Sequence, residues 1–565
     1  MMNLARCALF LGFLAASWVG IGPRQAEACG CFTPPDPSVP IVQAGERILF
    51  AIEEGVVTAH IQIQYAGSAG EFGWLLPLPS VPTLELGTDE LFAQLIQETQ
   101  PKYRLTTAFE GNCRFGRGGF GSSPPSADGG TSGGSNSSGK GPLVIQDSIG
   151  PYDYAVLRGD SKDEMLKWLA DNRYFVPVGT DQTVGNYLGP GKYFLALKLR
   201  SGQSAGDLQP VVVKYPSDYA MIPIELTSVG AQPNMGVQVW MLGGSRAIPR
   251  NYYHTVINDL AIDWYAAGRN YNDVVIKAVA EAPEKHSFLT EYAGTSRIMQ
   301  DRLDFPRRFG DPAAHAAAPS AIGFVQSLQS ASFPFSSQVT TILGRYIPMP
   351  PGLERKKITP AQFYLSIDYF LSDDYRSQFP EDFEGWAGIN YQPQKMVDEL
   401  WERVVKPTLA AGALFRKFPY LTRLYTTISP EDMNLDPVFS FNKDLPDVAH
   451  EHQATLTYYC GVLGSDDPAR TPARLVTEQG WSVDYPNGTG NTQPPPPRDV
   501  AGSQRIEVLG EEGPPRVIQE ILPDRGGCAC RVASVPSARS AAAGVGLALL
   551  GAALAMARAR RRGRS

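Results

Sequence analysis

The sequence predicts an α+β fold: an antiparallel β-rich N-terminal half, a more helical second half, a flexible Gly/Ser insert and a C-terminal membrane segment. Three observations predict it. In "VVTAHIQIQY", Val57, Ala59, Ile61, Ile63 and Tyr65 alternate with Thr58, His60, Gln62 and Gln64, the period of a half-buried antiparallel strand. Beyond residue 255 the apolar spacing becomes mostly helical. Near the end, residues 540–557 read "SAAAGVGLALLGAALAMA" without a charge.

The elements follow in order. Arg6 precedes the apolar run "CALFLGFLAASWVGIG", and Ala26 and Ala28 then occupy the small-residue positions of a cleavage site. Residues 1–28 therefore read as a secretory signal peptide. Cleavage there leaves Cys29 first, which also admits a lipoprotein reading, although Ala26 stands where that signal prefers an aliphatic residue. The main α+β domain is expected over 29–480, divisible into two subdomains near 255. "ERILFAI" and "VVTAHIQIQY" flank "EEG" as a hairpin. "EFGWLLPLPSVP", broken by prolines, reads as an edge strand leading into a loop. In "TDELFAQLIQETQ", Leu91, Leu95 and Ile96 share one helical face.

Residues 116–142 are almost all Gly, Ser, Pro and polar groups, so little apolar surface opposes the entropy of disorder. Ser161 and Glu164 then form a capping-box pair at a helix start. "GKYFLALKLR", "PVVVKY", "MIPIELTSV" and "GVQVWML" read as strands between Gly/Pro turns. Thr359 and Pro360 mark a later helix start. "QKMVDELWERVVKPTLAAGALF" is a helix expected to end or kink near Pro407. "LTRLYTTI" is the last strand of the body. Residues 487–502 are a Pro-rich linker, and 503–539 a tether with a Cys motif, beginning with two short apolar pieces that fit a final hairpin. The run at 540–557 is long enough, at ~1.5 Å per residue, to cross a hydrocarbon core. Arg558, Arg560, Arg561, Arg562 and Arg564 keep the 558–565 tail cytoplasmic and the body outside.

Composition narrows the function. The chain has 565 residues, 43% of them hydrophobic, and a net charge of -7, enough apolar material for a large core. A net acidic chain with no basic stripe disfavours nucleic acid as partner. The chain has no nucleophile elbow, Walker loop, dinucleotide fingerprint, zinc-protease helix or EF-hand loop, so no cofactor is implied. Among six histidines, His450 and His452 would point the same way in a strand, but a solvated loop explains them better, and no metal site is assigned. His60 lies on a polar strand face and is expected at the surface. His254 has no nearby nucleophile, and helix capping accounts for Asp259.

Cysteines outside the cytoplasm tend to pair. Cys29, Cys31, Cys113 and Cys460 form a disulfide set with three possible connectivities. A direct Cys29–Cys31 bond is geometrically unattractive, and a four-thiolate metal site lacks standard spacing.

Several long blocks occur in the order of a bacterial family: "AGERILFAIEEGVVTAHIQIQYAGSAGEFGWLLPLPSVP", the stretch from "GKYFLALKLR" through "GVQVWMLGGSRAIPRNY", and "LTRLYTTISPEDMNLDPVF". Over about 29–445 the chain resembles domain-of-unknown-function family DUF2330. The resemblance implies no catalytic residue. "GGCACR", the small-residue span and "RARRRGRS" together resemble the MYXO-CTERM sorting signal of myxobacteria, with an unusually long "VASVPSAR" between its parts. That resemblance implies a sorting protease, removal of the span, a lipid anchor at Cys528 or Cys530, and display at the cell surface. The other reading is a plain membrane helix with juxtamembrane disulfides.

The expected function is that of an exported, envelope- or surface-anchored protein with a non-catalytic binding or structural role toward an extracellular or periplasmic ligand. The alternatives are an anchored hydrolase with a site assembled from distant residues, and an assembly factor that accepts a client strand at a sheet edge. A deep pocket holding His254, His60 or the His450–His452 pair would favour the hydrolase.

Overall fold

The computed structural model describes residues 44–63, 73–111, 142–172, 174, 180–201, 207–229, 231–461, 470–486 and 500–521. The alternating strands find both their faces covered. Ala44–Glu53 and Val56–Ile63 form the expected hairpin. Glu53 pairs with Val56, and Glu54 and Gly55 between them both have positive φ, the two-residue turn that matches strand twist.

This hairpin sits inside a ten-stranded sheet. Its order runs Arg516–Glu520, Ser503–Val508, Tyr253–Ile257, Ser287–Thr295, Tyr420–Ile428, Met235–Gly243, Ala44–Glu53, Val56–Ile63, Val211–Pro216, Thr83–Leu86. The sheet is mixed rather than purely antiparallel. Ala44–Glu53 runs parallel to Met235–Gly243, and Tyr253–Ile257 parallel to Ser287–Thr295. A third parallel pair, Lys102–Gly111 with Glu451–Cys460, lies in a separate four-stranded sheet. Long connections permit such crossovers. The expected subdomain boundary near 255 falls within the central sheet, and residues 503–521, expected in the tether, close its edge as a hairpin.

One face of the central sheet presents Ile48, Phe50, Val57, Ala59, Val213, Val239 and Met241 to a second antiparallel sheet, whose Leu76, Val156, Leu195 and Leu197 meet them in one core. That second sheet runs Gly73–Leu78, Tyr193–Leu199, Tyr152–Arg158, Leu143–Ile149. The proline-broken strand is at its edge as expected, where a missing N–H costs least. The opposite face presents Leu49, Ala51, Trp240 and Leu242 to helices Asp89–Thr99 and Lys406–Lys417. "MIPIELTSV" is not a strand. After the two-residue Ala220–Met221, Pro223 opens a single helical turn, Ile224–Thr227.

Between adjacent strands Ser287–Thr295 and Tyr420–Ile428 the chain departs into a helical layer with its own core, built on Phe309, Phe324, Val339, Leu343, Phe363 and Leu400. Thr359 and Gln362 make the expected capping box, with Pro360 in the first turn. At Pro407 the helix neither ends nor loses its partners. Pro393–Leu400 passes through a π-helical turn, Trp401–Val405, into Lys406–Lys417. Proline cannot donate to the carbonyl four residues back and its ring crowds it. That carbonyl, of Arg403, instead accepts from Gln209 Nε2 at 3.2 Å and Gln338 Nε2 at 3.1 Å.

Among the described residues no helix is long and apolar enough to cross a membrane. The expected span at 540–557, the signal segment, and Cys29, Cys31, Cys113, Cys528 and Cys530 lie outside the described residues, as does the Gly/Ser insert up to residue 141.

Candidate functional site

A cavity of about 440 Å³ is lined by residues of the central sheet and the second sheet. The short segments over 217–229, Ala220–Met221 and Ile224–Thr227 among them, contribute Tyr219, Leu226 and Thr227 to its lining. Phe50, Ala59, Ile61, Trp74, Leu76 and Tyr215 give it an apolar and aromatic wall. Its size and lining fit the range of small-ligand sites, ~300–1,000 Å³.

Polar groups in it are few. Glu46, from the strand Ala44–Glu53, lines it beside Thr227. The Thr227 hydroxyl donates to Glu46 Oε1 at 2.8 Å, whereas Oε2 is shielded from solvent and has no hydrogen-bond partner. Burial raises the Glu46 pKa above the ordinary carboxylate range; the Thr227 hydrogen bond opposes this and the Asp436 charge reinforces it. Asp436 stands behind Tyr187, another lining residue, whose hydroxyl donates to both carboxylate oxygens at 2.8 Å. Asp436 also accepts from the Glu225 backbone N–H at 3.1 Å. Burial pushes its pKa up to about 6. Glu225 accepts from Asn186 Nδ2 at 2.6 Å. Among the described residues none of these three carboxylates has a salt-bridge partner.

The histidines behave differently from their sequence setting. His60 is not at the surface: it is 4% exposed under the helical layer, lines a second cavity of about 280 Å³, and its Nδ1 has no partner. Burial, then the Lys214 charge, lowers its pKa to about 4, so it is neutral at ordinary pH. The polar face of its strand is covered because Leu86, Leu414 and Phe418 close over it. His452 lies in the strand Glu451–Cys460, stacks on Tyr103 at 4.9 Å and meets Glu478 at 2.9 Å. His450 packs edge-on against Tyr292. The two do not share a ligand position, and among the described residues no three His, Cys, Asp or Glu side chains are placed to hold a metal ion.

His254 does acquire distant partners. Its Nδ1 lies 2.9 Å from Glu507 Oε1, and its Nε2 lies 2.9 Å from Thr290 Oγ1. Arg246 donates to the same threonine oxygen at 3.0 Å. The order resembles a nucleophile–base–acid chain, but His254 is 3% exposed and lines neither cavity. Burial holds its pKa down, opposed by the hydrogen bond that its ring makes to the Glu507 carboxylate. The group ties strands Tyr253–Ile257, Ser287–Thr295 and Ser503–Val508 together.

Asp259 is not the cap; Asn258 is, its side chain accepting from the Leu260 N–H. Asp259 is instead 1% exposed with both carboxylate oxygens unpartnered. Cys460 is disulfide-bonded. Every other cysteine lies outside the described residues.

A family model described as an uncharacterized protein conserved in bacteria (DUF2330) matches residues 23–305. The chain belongs to the DUF2330 family. The matched segment holds every lining residue of the large cavity, from Gly45 to Met235. It stops short of 445, so the helical layer and the strand Tyr420–Ile428 lie beyond the DUF2330 match. No curated protein and no solved structure matches the chain.

Proposed function

We propose that this DUF2330 protein is exported, held at the cell envelope by its C-terminal segment, and binds a small apolar ligand in the cleft between its two sheets without turning it over. The observation that carries the reading is the cleft itself. It is a ligand-sized cavity with an apolar wall and a single buried carboxylate oxygen left without a partner. Buried polar atoms are almost always paired, so an open position beside an apolar wall is what a ligand would complete. Glu46 is the acid of the described cleft lining, and among the described residues no histidine, cysteine or arginine lines it. The signal segment, the arginine tail and the sorting-signal resemblance support export and anchoring.

Two measurements test the two halves. The intact mass of the protein isolated from its native envelope should lack residues 1–28 and carry lipid at Cys528 or Cys530. A mass retaining both ends unmodified would refute export and sorting. Binding is tested with N-phenyl-1-naphthylamine, a neutral apolar fluorophore: saturable one-to-one binding that quenches Trp74 is expected, and a linear, unsaturable response would refute the cleft as a site.

A further inference from the structure

The chemistry around Glu46 in the cleft specifies more than an apolar ligand. Three acids gather there, Glu46 bonded to Thr227, Asp436 to Tyr187 and Glu225 to Asn186. Asp436 acts electrostatically on both Glu46 and Glu225. Cations around the cleft are committed or peripheral: Lys198 lies over the Tyr174 ring at 4.4 Å and donates to the Asn172 carbonyl at 2.7 Å. Arg250 lies over the Tyr219 ring at 4.3 Å and pairs with Glu511 at 3.2 Å. Lys192 is an exposed residue of the cleft lining. An anionic head, whether carboxylate or phosphate, would meet like charge at Glu46 with Asp436 and Glu225 behind it, which opposes binding. A neutral head would leave the acids uncompensated. A cation would satisfy Oε2 and offset the field of Asp436 and Glu225, with Trp74 and Tyr215 among the aromatic residues lining the cleft.

We propose that the ligand is a single-chain amphiphile with a primary ammonium head, which donates to the free Oε2 of Glu46 while its chain lies along Phe50, Ile61 and Leu76. This rests on the reading of the cleft as a binding site. The head discriminates by charge, the wall by apolar area.

The test uses three probes of equal chain length, dodecylammonium, dodecanol and dodecanoate, displacing N-phenyl-1-naphthylamine from the purified chain, with Glu46→Gln as the variant. Glutamine keeps the shape and the Thr227 contact but cannot be charged. The expected order is dodecylammonium at least about tenfold tighter than dodecanol, with dodecanoate weakest. In E46Q the ammonium advantage should disappear while dodecanol binds as before, which also shows that the variant is folded. Equal binding of ammonium and alcohol to the wild type overturns the head-group assignment and leaves the apolar cleft standing. An ammonium preference that survives in E46Q overturns the seat at Glu46. Failure of all three probes to displace the fluorophore refutes the cleft reading and this inference together.

Discussion

Replacing Asp259 with asparagine should stabilise the protein at neutral pH and leave it nearly unchanged in acid. The carboxyl is 1% exposed and neither oxygen has a partner. Burial raises its pKa from 3.8 to about 6; His452 pulls it down and Glu478 pushes it up. An acid with a raised folded pKa binds its proton more tightly folded than unfolded. Its contribution is therefore intact below pH 3.8, falls as pH rises toward 6, and remains lost above that. The span from 3.8 to about 6 corresponds to about 3 kcal/mol. The asparagine amide lacks partners just as the protonated carboxyl does, so that cost is common to both and the net gain at pH 7.5 is about 3 kcal/mol. Urea unfolding of wild type and D259N at pH 4 and pH 7.5 measures it. The midpoint should rise at pH 7.5 and not at pH 4. Asp89 and Asp436, also pushed to about 6 by burial, keep part of the wild-type pH slope in the variant. A midpoint that falls at pH 7.5, or shifts equally at both pH values, would refute the reasoning.

Other perturbations probe other layers. Arg423 and Glu291 are each 1% exposed and joined at 2.5 Å, with Gln238, Thr99 and Tyr271 satisfying their remaining groups; Arg423→Met strands Glu291 and should cost about 3–5 kcal/mol in urea unfolding, and a loss below about 1 kcal/mol would contradict a buried charge pair. A Cβ at Gly352 would lie 2.2 Å from Asp382 Cα, a backbone atom that cannot yield cheaply; Gly352→Ala should cost about 1–3 kcal/mol and raise hydrogen exchange at 351–383, and wild-type exchange there would refute the clash. The strand register sets Cys460 opposite Gly111, two residues from Cys113 in sequence, so non-reducing peptide mapping should recover Cys113 linked to Cys460; a link from Cys460 to Cys29 or Cys31 would refute that pairing.

What the sequence disclosed follows from which interactions are local. The alternation at Val57–Ile63, the face of Leu91 and Leu95, and the Thr359–Gln362 capping box each involve residues within a few positions, and each occurs as expected. Alternation reports only that one strand face is polar, not whether something covers it, so His60 and Gln62 read as exposed although helices lie over that face. The parallel pairing of Ala44–Glu53 with Met235–Gly243 joins segments almost two hundred residues apart, and no local pattern encodes it. The strands after Tyr420–Ile428 were legible too: Ala454, Leu456, Tyr458 and Cys460 are buried and alternate with more exposed neighbours, as do Ala473, Leu475 and Thr477. The cleft was invisible for the same reason as the sheet order. Glu46 reads as an ordinary polar start to a strand until Thr227, Tyr187 and Asp436 are brought around it.

The π-helical turn at Trp401–Val405 works as a gear change between two cores. Before it, Met396, Val397 and Leu400 face the helical layer; after it, Ala411 and Phe415 face the central sheet. In a regular helix each residue advances the face by about 100°, so one extra residue per turn resets which side points where without breaking the rod. Excising one residue from 401–405 would leave a smoother helix and a worse protein, since one half or the other would present its polar side to a core. The irregularity lets a single rod answer to two masters, and its bolt is the Arg403 carbonyl, gripped by Gln338 from the helical layer and Gln209 from the chain entering the sheet.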